Sequence, residues 1–495
     1  MITPTPELHL LIDGELRAAT GEGTYPNVSP STGRIIGEAP DGTPADIEAA
    51  IVAARTAFDA TDWATNVDFR VHCLRQLHRA LLDHTDQWTD LTVAEVGAPR
   101  GVCAAVQVVA PIEFVAFYAD LAERYEWVTD LGPRDTIGGP ATRWIEREPV
   151  GVLAAITPWN VPNQINLAKT IPALAAGCTV VLKPAPDTPW CGLFLGRMIA
   201  EHTDIPAGVF NVVTSSDKLI GEHLTTDPRV DMISFTGSTP VGRRIMEAAS
   251  ANLTKVFLEL GGKSVSLVLD DVDDFGMVAA TAAFGTATVA GQGCALTTRV
   301  LLPRSRYDEG VQAIADMMAM ISPGDPDADD CGMGPLISQA QLERVEGYVA
   351  QGIEEGARVV CGGRRTAGLP DHLDGGHYYD LTLLADVTND MTVAQEEIFG
   401  PVLVAIAYDD EDHAVAIAND SIYGLSGAVF SGTDEHAIEV ARRIRTGTMS
   451  INGGVWYGPD VPFGGYKQSG IGREMGEAGF DEHLELKAYA KPNPA

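Results

Sequence analysis

The sequence is poor in cysteine, in basic charge and in long runs of large apolar residues. Seven cysteines in 495 residues are too few for a disulfide framework. Positions 73, 103, 178, 191, 294, 331 and 361 form no CxxC pair and no tight Cys/His cluster, so no metal site is expected. The 34 Lys+Arg stand against 68 Asp+Glu, a formal net charge of −34. Such a chain repels phosphate backbones, which excludes nucleic acid as a partner. The opening stretch MITPTPELHLLIDGELR lacks a basic region followed by an apolar core, so no signal peptide is expected. The longest uncharged run, Phe275 to Thr298, has the length of a bilayer span. It is built of Ala, Thr, Gly and Gln, and reads instead as a buried helix running into a Gly-rich loop. A reduced, cytoplasmic protein without membrane attachment is the expectation. There is no repeat, no low-complexity tract and no G-x-G-x-x-G turn after an early strand.

What is present is alternation. At ~150 residues per domain the length allows two to four domains. Short strand-like pieces (HLLIDGEL, RIIGEA) open the chain, a helix begins at Thr43-Pro44, and about 66–126 reads as mostly helical. From Val150, apolar runs (VGVLAAIT, CTVVLKP, GVFNVVTS, VDMISFTG, KVFLEL) alternate with helical stretches or Gly-rich turns. A second such series runs from SVSLVLDD to about 445. Strands alternating with helices predict an α/β fold with parallel sheets, which bind ligands beyond the carboxyl ends of their strands. The tail HLELKAYA reads as a strand that needs a partner sheet or subunit.

Polar residues collect at those strand ends. Pro158-Trp159-Asn160 follows the first strand, Lys183-Pro184-Ala185-Pro186 the second, and Phe235-Thr236-Gly237-Ser238 the fourth. Glu259-Leu260-Gly261-Gly262-Lys263 follows the fifth, Gly291-Gln292-Gly293-Cys294 ends the uncharged run, and Glu396-Glu397-Ile398-Phe399-Gly400-Pro401 lies further on. A thiol after a Gly-rich turn is open to attack chemistry once deprotonated. A carboxylate on an apolar strand end is suited to general-base work. The bland alternatives are inert buried cysteines, which suits Cys73, Cys103, Cys178, Cys191 and Cys361, and a solvated rim for Glu259 and Lys183.

Taken together, in this order and spacing, these motifs resemble the aldehyde dehydrogenase superfamily over nearly the whole chain, from LLIDGEL to Pro462-Phe463-Gly464-Gly465 and the tail. The resemblance implies a Rossmann-like dinucleotide-binding domain (1–130 and 149–260) and a second α/β catalytic domain (261–445). It also implies a small β oligomerisation element (131–148 and 470–495) and a substrate-tunnel loop (446–469). It implies Cys294 as nucleophile, Asn160 with the Cys294 amide as oxyanion donors, and Glu259 as the base that hydrolyses a thioester. Ile156, Trp159, Lys183, Gly237, Ser238, Leu260, Glu397 and Phe399 would then hold NAD or NADP. NAD is favoured, although Pro186 stands where NAD-preferring relatives often carry Glu. Val161, Ile165, Ala168, Trp456, Tyr457 and Phe463 would line the tunnel. Their apolar and aromatic character points to an apolar or aromatic aldehyde. A homodimer or homotetramer is implied. A CoA-acylating semialdehyde dehydrogenase, a nicotinamide-independent thiol esterase or acyltransferase, and a binding protein on an inactive scaffold are the alternatives. CoA-acylating members usually lack the Glu259 carboxylate, and an esterase would have no need of Lys183, Ser238 and Glu397 together.

Overall fold

The computed structural model describes residues 4–493. The first sheet has eight strands, in the spatial order Gly470–Ile471, Lys255–Glu259, Met232–Thr236, Val152–Ile156, Thr179–Lys183, Phe210–Val212, Leu10–Ile12 and Glu15–Arg17. The five strands from Lys255–Glu259 to Phe210–Val212 are parallel. Val152–Ile156 comes first in the chain, with its next two neighbours on one side and the last two on the other. The chain therefore changes direction between Val152–Ile156 and Met232–Thr236, and a crevice opens above their carboxyl ends.

A second sheet of seven strands runs Arg358–Cys361, Thr382–Ala385, Val402–Tyr408, Arg299–Pro303, Val265–Val268, Gly427–Phe430 and Ser450–Ile451. All are parallel except the first. Each large sheet has its own hydrophobic core. Strands Val128–Thr136, Gly139–Pro149 and Leu484–Pro492 form a third, antiparallel sheet.

Three details differ from the expected ranges. Gly470–Ile471 pairs with Leu258 and Glu259 at the edge of the first sheet, so the third sheet takes only the last part of 470–495. Ser450–Ile451 pairs with Ala428 and Val429 and extends the second sheet into the expected tunnel loop. Strand Val128–Thr136 begins before residue 131. In the first two cases a strand edge has taken up a short neighbouring segment. Residues 1–3 and 494–495 of the expected ranges lie outside the described residues.

The uncharged run forms a helix over Gly276–Ala287 with one buried face, while Met277 and Phe284 are exposed on the other. It is thus amphipathic rather than wholly buried. Among the described residues, one helical stretch is long and apolar enough to cross a membrane, Arg100–Arg124. It packs against the helices Val67–Asp83 and Pro162–Ala176.

Candidate active site

The crevice at the change of strand direction encloses about 250 Å3. It is lined by Trp159 and Asn160, by Thr236, Gly237 and Ser238, by Glu259 and Gly261, and by Cys294, Glu397 and Phe399. Three of the polar strand ends, the Gly-Gln-Gly-Cys turn and the Glu397–Phe399 turn therefore converge on one place.

Cys294 is delivered by an unusual backbone. The helix Gly276–Ala287 passes into a turn in which Val289 and Ala290 have φ of 51° and 52°, before Gly291 at 71°. Gly291 is obligatory, since a Cβ there would sit 2.0 Å from the Gly400 carbonyl oxygen. Gln292 fixes the turn from inside. Its side chain donates to the Val289 carbonyl at 2.8 Å and accepts the Ile337 amide at 3.0 Å. The Asn160 Nδ2 donates to the Gln292 carbonyl at 2.7 Å. That bond orients the Asn160 amide and leaves its second N–H for another acceptor beside Cys294. Gly262 allows the approach on the other side, because a Cβ there would meet the Cys294 carbonyl oxygen at 2.3 Å.

Glu259 ends the fifth parallel strand and is 2 % exposed. Its Oε1 has no partner among the described residues. Burial first, and the like charge of Glu474 second, push its carboxyl up to about 8; the hydrogen bond with Cys294 and the charge of Lys169 act the other way. The Cys294 thiol is held well above its ordinary range by burial, then by Glu259 and Glu397. In the resting protein the thiol keeps its proton, and at neutral pH most of Glu259 is protonated as well, so the ionised fraction of Glu259 is what can take the thiol proton. The remaining cysteines follow the bland expectation: 73, 103, 178 and 191 are buried, with burial raising each thiol, and Cys361 is half-buried.

The rest of the crevice suits a dinucleotide. Ser238 precedes the helix Thr239–Ala249 without capping it by its side chain, so the first-turn amides face the cleft free of a side-chain acceptor. Thr236 Oγ1 is buried there without a partner. Gly237 is required, since a Cβ would press on the Phe235 ring at 2.4 Å. Glu397 accepts the Gly262 amide at 2.9 Å and lies against Gly261. Phe399 meets the Trp159 ring edge-on at 5.4 Å with φ of 62°. Lys183 is not a solvated lysine. It is 4 % exposed, burial draws it down to about 8, and among the described residues its Nζ donates only to the Pro184 carbonyl at 3.3 Å. Gly221 sits over Lys183 and Ile156. Leu260 is buried, its amide bonded to the Ser469 carbonyl at 2.9 Å.

The aromatic residues form their own group. Trp456 stacks on Phe463 at 5.4 Å, Tyr457 meets Trp456 at 6.1 Å, and Phe114 lies 6.3 Å from Tyr457. Val161 is half-exposed at the start of the helix Pro162–Ala176. Ala168 departs from expectation: at 1 % exposure it faces no open space, because the helix is packed on all sides there. Ile165 is likewise buried.

Several residues at the site were not singled out from sequence. Lys169 and Glu474 form a buried ion pair at 2.9 Å beside Glu259, and Phe463 and Glu474 exchange two backbone hydrogen bonds. Gln341 donates to the Phe399 carbonyl at 2.7 Å and Arg344 to the Glu397 carbonyl at 2.6 Å, which clamps the strained 397–399 turn. Lys263 lies buried behind Gly262. Glu474 is visible in the tail motif and Lys263 in the Glu-Leu-Gly-Gly-Lys motif, but Gln341 and Arg344 carry no local signal.

The aldehyde dehydrogenase family model matches residues 17–489. The chain belongs to the aldehyde dehydrogenase family. A 3-succinoylsemialdehyde-pyridine dehydrogenase of a Pseudomonas species is 40% identical over 481 residues, covering 96% of this chain and 97% of that protein. An aldehyde dehydrogenase of Mycobacterium tuberculosis, solved with NAD+, is 42% identical with a TM-score of 0.90, covering 97% of each chain. A mutant of aldehyde dehydrogenase C from Pseudomonas syringae, solved with NAD+ and octanal, is 38% identical with a TM-score of 0.91, covering 98% of this chain and 96% of that one. The two-sheet arrangement described above is that of an aldehyde dehydrogenase.

Proposed function

We propose that this aldehyde dehydrogenase oxidises an apolar or aromatic aldehyde to a carboxylic acid with NAD, by way of a thioester on Cys294. The observation that carries the reading is the convergence of Cys294, Glu259 and the Asn160–Gln292 bond in the crevice that also presents Ser238 and Glu397. Glu259 takes the thiol proton and Cys294 Sγ attacks the aldehyde carbon. The oxygen that gains charge is held by the free N–H of Asn160 and the Cys294 amide. One such donor is worth roughly 100–1000-fold in rate. A bound dinucleotide supplies the hydride acceptor that turns the thiohemiacetal into a thioester. Once the thiol proton has passed to solvent, Glu259 takes a proton from water as that water attacks the thioester carbon, and Cys294 leaves as thiolate. Ser238 and the helix behind it would hold the pyrophosphate, Glu397 and Lys183 the two riboses, and Trp159 and Phe399 the walls between.

The relatives named for a pyridine-bearing semialdehyde and solved with octanal support an uncharged aldehyde. So does the group Trp456, Tyr457, Phe463 and Val161, which contains no cation to pair with a carboxylate. The third sheet presents two edge strands of nine residues with Leu131 and Leu486 exposed, and Ile137 is exposed at the turn beside them. These suit pairing into a homodimer or homotetramer. A cytoplasmic location fits the seven free thiols.

The test is NADH formation with octanal, benzaldehyde and a carboxylate-bearing semialdehyde, in the wild type and in Cys294→Ala. The wild type should prefer the first two, and the variant should bind NAD but form no NADH. No reduction with any aldehyde, or activity retained in the variant, overturns the reading. Dependence of turnover on CoA would place the chain with the acylating enzymes instead.

A further inference from the structure

Lys263 is 2 % exposed and its ammonium nitrogen has no hydrogen-bond partner among the described residues. A buried, unpartnered lysine is expensive to retain. The cavity beside it, lined by Arg299, Tyr423, Leu425 and Ser426 among others, measures about 10 Å3, room for one water at most. The mechanism above makes no use of it.

Its surroundings give it a use. Lys263 directly follows Gly262, whose amide seats the Glu397 carboxylate at 2.9 Å. The groups that face Lys263 are Arg299 from the neighbouring strand and Glu396 and Glu397 from the following turn. Those that face Glu397 are Lys263 and Arg344, with Glu259, Cys294 and Tyr423 also within its field. Arg344 spends its hydrogen bonds on the Glu397 and Ile398 carbonyls and on the Tyr348 hydroxyl. That leaves Lys263 as the cation whose nitrogen is uncommitted.

We propose that Lys263 is a positioning residue: its ammonium, buried behind Gly262, is the electrostatic counterpart of the Glu397 carboxylate and maintains it as a hydroxyl acceptor in the cleft. This rests on the reading that Glu397 receives a ribose of NAD. Burial raises Glu397 to about 7 and lowers Lys263 to about 7, so near neutrality the pair holds one proton between its two groups. With the lysine charged, the carboxylate ionises at lower pH than it would alone. Above about pH 9 the carboxylate is ionised with or without the lysine.

Isothermal titration of NAD+ into the wild type, Lys263→Met, Glu397→Gln and the double variant, from pH 6 to 9.5, tests this. Lys263→Met should weaken binding about fivefold at pH 7, for a displacement of about one pKa unit, and the defect should fade by pH 9.5. Glu397→Gln should weaken binding at neutral and high pH, and adding Lys263→Met to it should cost nothing more. A Lys263→Met defect that is equal at every pH, or that persists in the Glu397→Gln background, makes the lysine merely structural and overturns the proposal. Unchanged binding in Glu397→Gln would overturn the ribose reading, while unchanged binding in Lys263→Met alone overturns only this inference. Should Lys263→Met fail to fold, the wild type still decides: its affinity should rise from pH 6 to 8, and Lys263→Arg should keep that rise.

Discussion

Replacing Glu474 by Gln should make the enzyme a faster hydrolase at neutral pH. Glu259 is an acid with its carboxyl raised to about 8, burial contributing most and Glu474 next. A raised carboxyl is in its base form only above that value, so thioester hydrolysis should fall as pH drops through about 8. At pH 7 only about one Glu259 in ten is ionised. Glu474→Gln removes the like charge and also frees Lys169, now 2.9 Å from Glu474, to act on Glu259 undiminished. Both changes favour the carboxylate. A displacement of one unit, about 1.4 kcal/mol, would leave about half of Glu259 ionised at pH 7. Hydrolysis should then be about fivefold faster at pH 7 and unchanged at pH 9.5.

The assay is the pH profile of acyl-enzyme turnover, read with a nitrophenyl ester so that hydride transfer plays no part. Breaking a buried pair is destabilising by about 3–5 kcal/mol when an uncompensated charge remains; Gln keeps an acceptor for Lys169, so a smaller loss is expected, to be checked by thermal unfolding. If the midpoint of the profile stays in place, or moves to higher pH, then Glu474 does not act on Glu259 through its charge. The reasoning would then be wrong even if the rate changed.

Three further outcomes follow. Asn160→Ala should lower kcat/KM for octanal about 100–1000-fold while leaving the calorimetric affinity for NAD in place; a loss under tenfold would remove Asn160 from the oxyanion site. Pro186→Glu should place a carboxylate beside Lys183 and depress NADP use relative to NAD, read as the ratio of the two kcat/KM values; an unchanged ratio would mean that residue 186 does not face the adenosine ribose. Asp46 is fully buried and accepts from Thr43 at 2.9 Å and from Thr20 at 2.7 and 3.0 Å at the start of the helix Pro44–Ala60. Asp46→Ala should lower stability by about 2–3 kcal/mol at pH 7. Because these bonds hold its carboxyl below the ordinary value despite burial, that stabilisation is present above the ordinary carboxylate range and lost as pH falls below it. The unfolding curves of the two proteins should therefore converge in acid.

Much of the site was legible because parallel α/β sheets put their chemistry at strand ends, and strand ends are local in sequence. Lys183 and Glu259 end an apolar run that is also a strand, and Trp159 and Ser238 lie within three residues after one. What was not legible depends on pairings remote in sequence. Lys169 and Glu474 lie 305 residues apart in the chain, and neither has meaning until the Phe463–Glu474 backbone exchange brings the tail under the helix Pro162–Ala176. Gln341 and Arg344 sit on an ordinary amphipathic helix, and only the strained Phe399 turn beside it makes them part of the cleft. Ala168 shows the opposite failure: its place in a motif suggested a tunnel wall, but whether a small residue borders space or core is decided by the neighbouring helix.

The electrostatics of Cys294 and Glu259 also explain why one carboxylate can serve twice. Cysteine nucleophiles are commonly activated by a nearby cation or a helix N-terminus, which lowers the thiol. Here the thiol is raised, by burial and by two carboxylates, so a standing thiolate is disfavoured. The thiol must hand its proton to Glu259, whose own elevated value, about 8, narrows the gap between donor and acceptor. Once Cys294 is acylated, Glu259 carries the proton it took from the thiol and must pass it to solvent before it can act again. The base then stands unpartnered at the thioester, and a water is the next donor it can engage. Order of events is thus built into the pair: Glu259 cannot take a proton from water until it has released the one it took from the thiol.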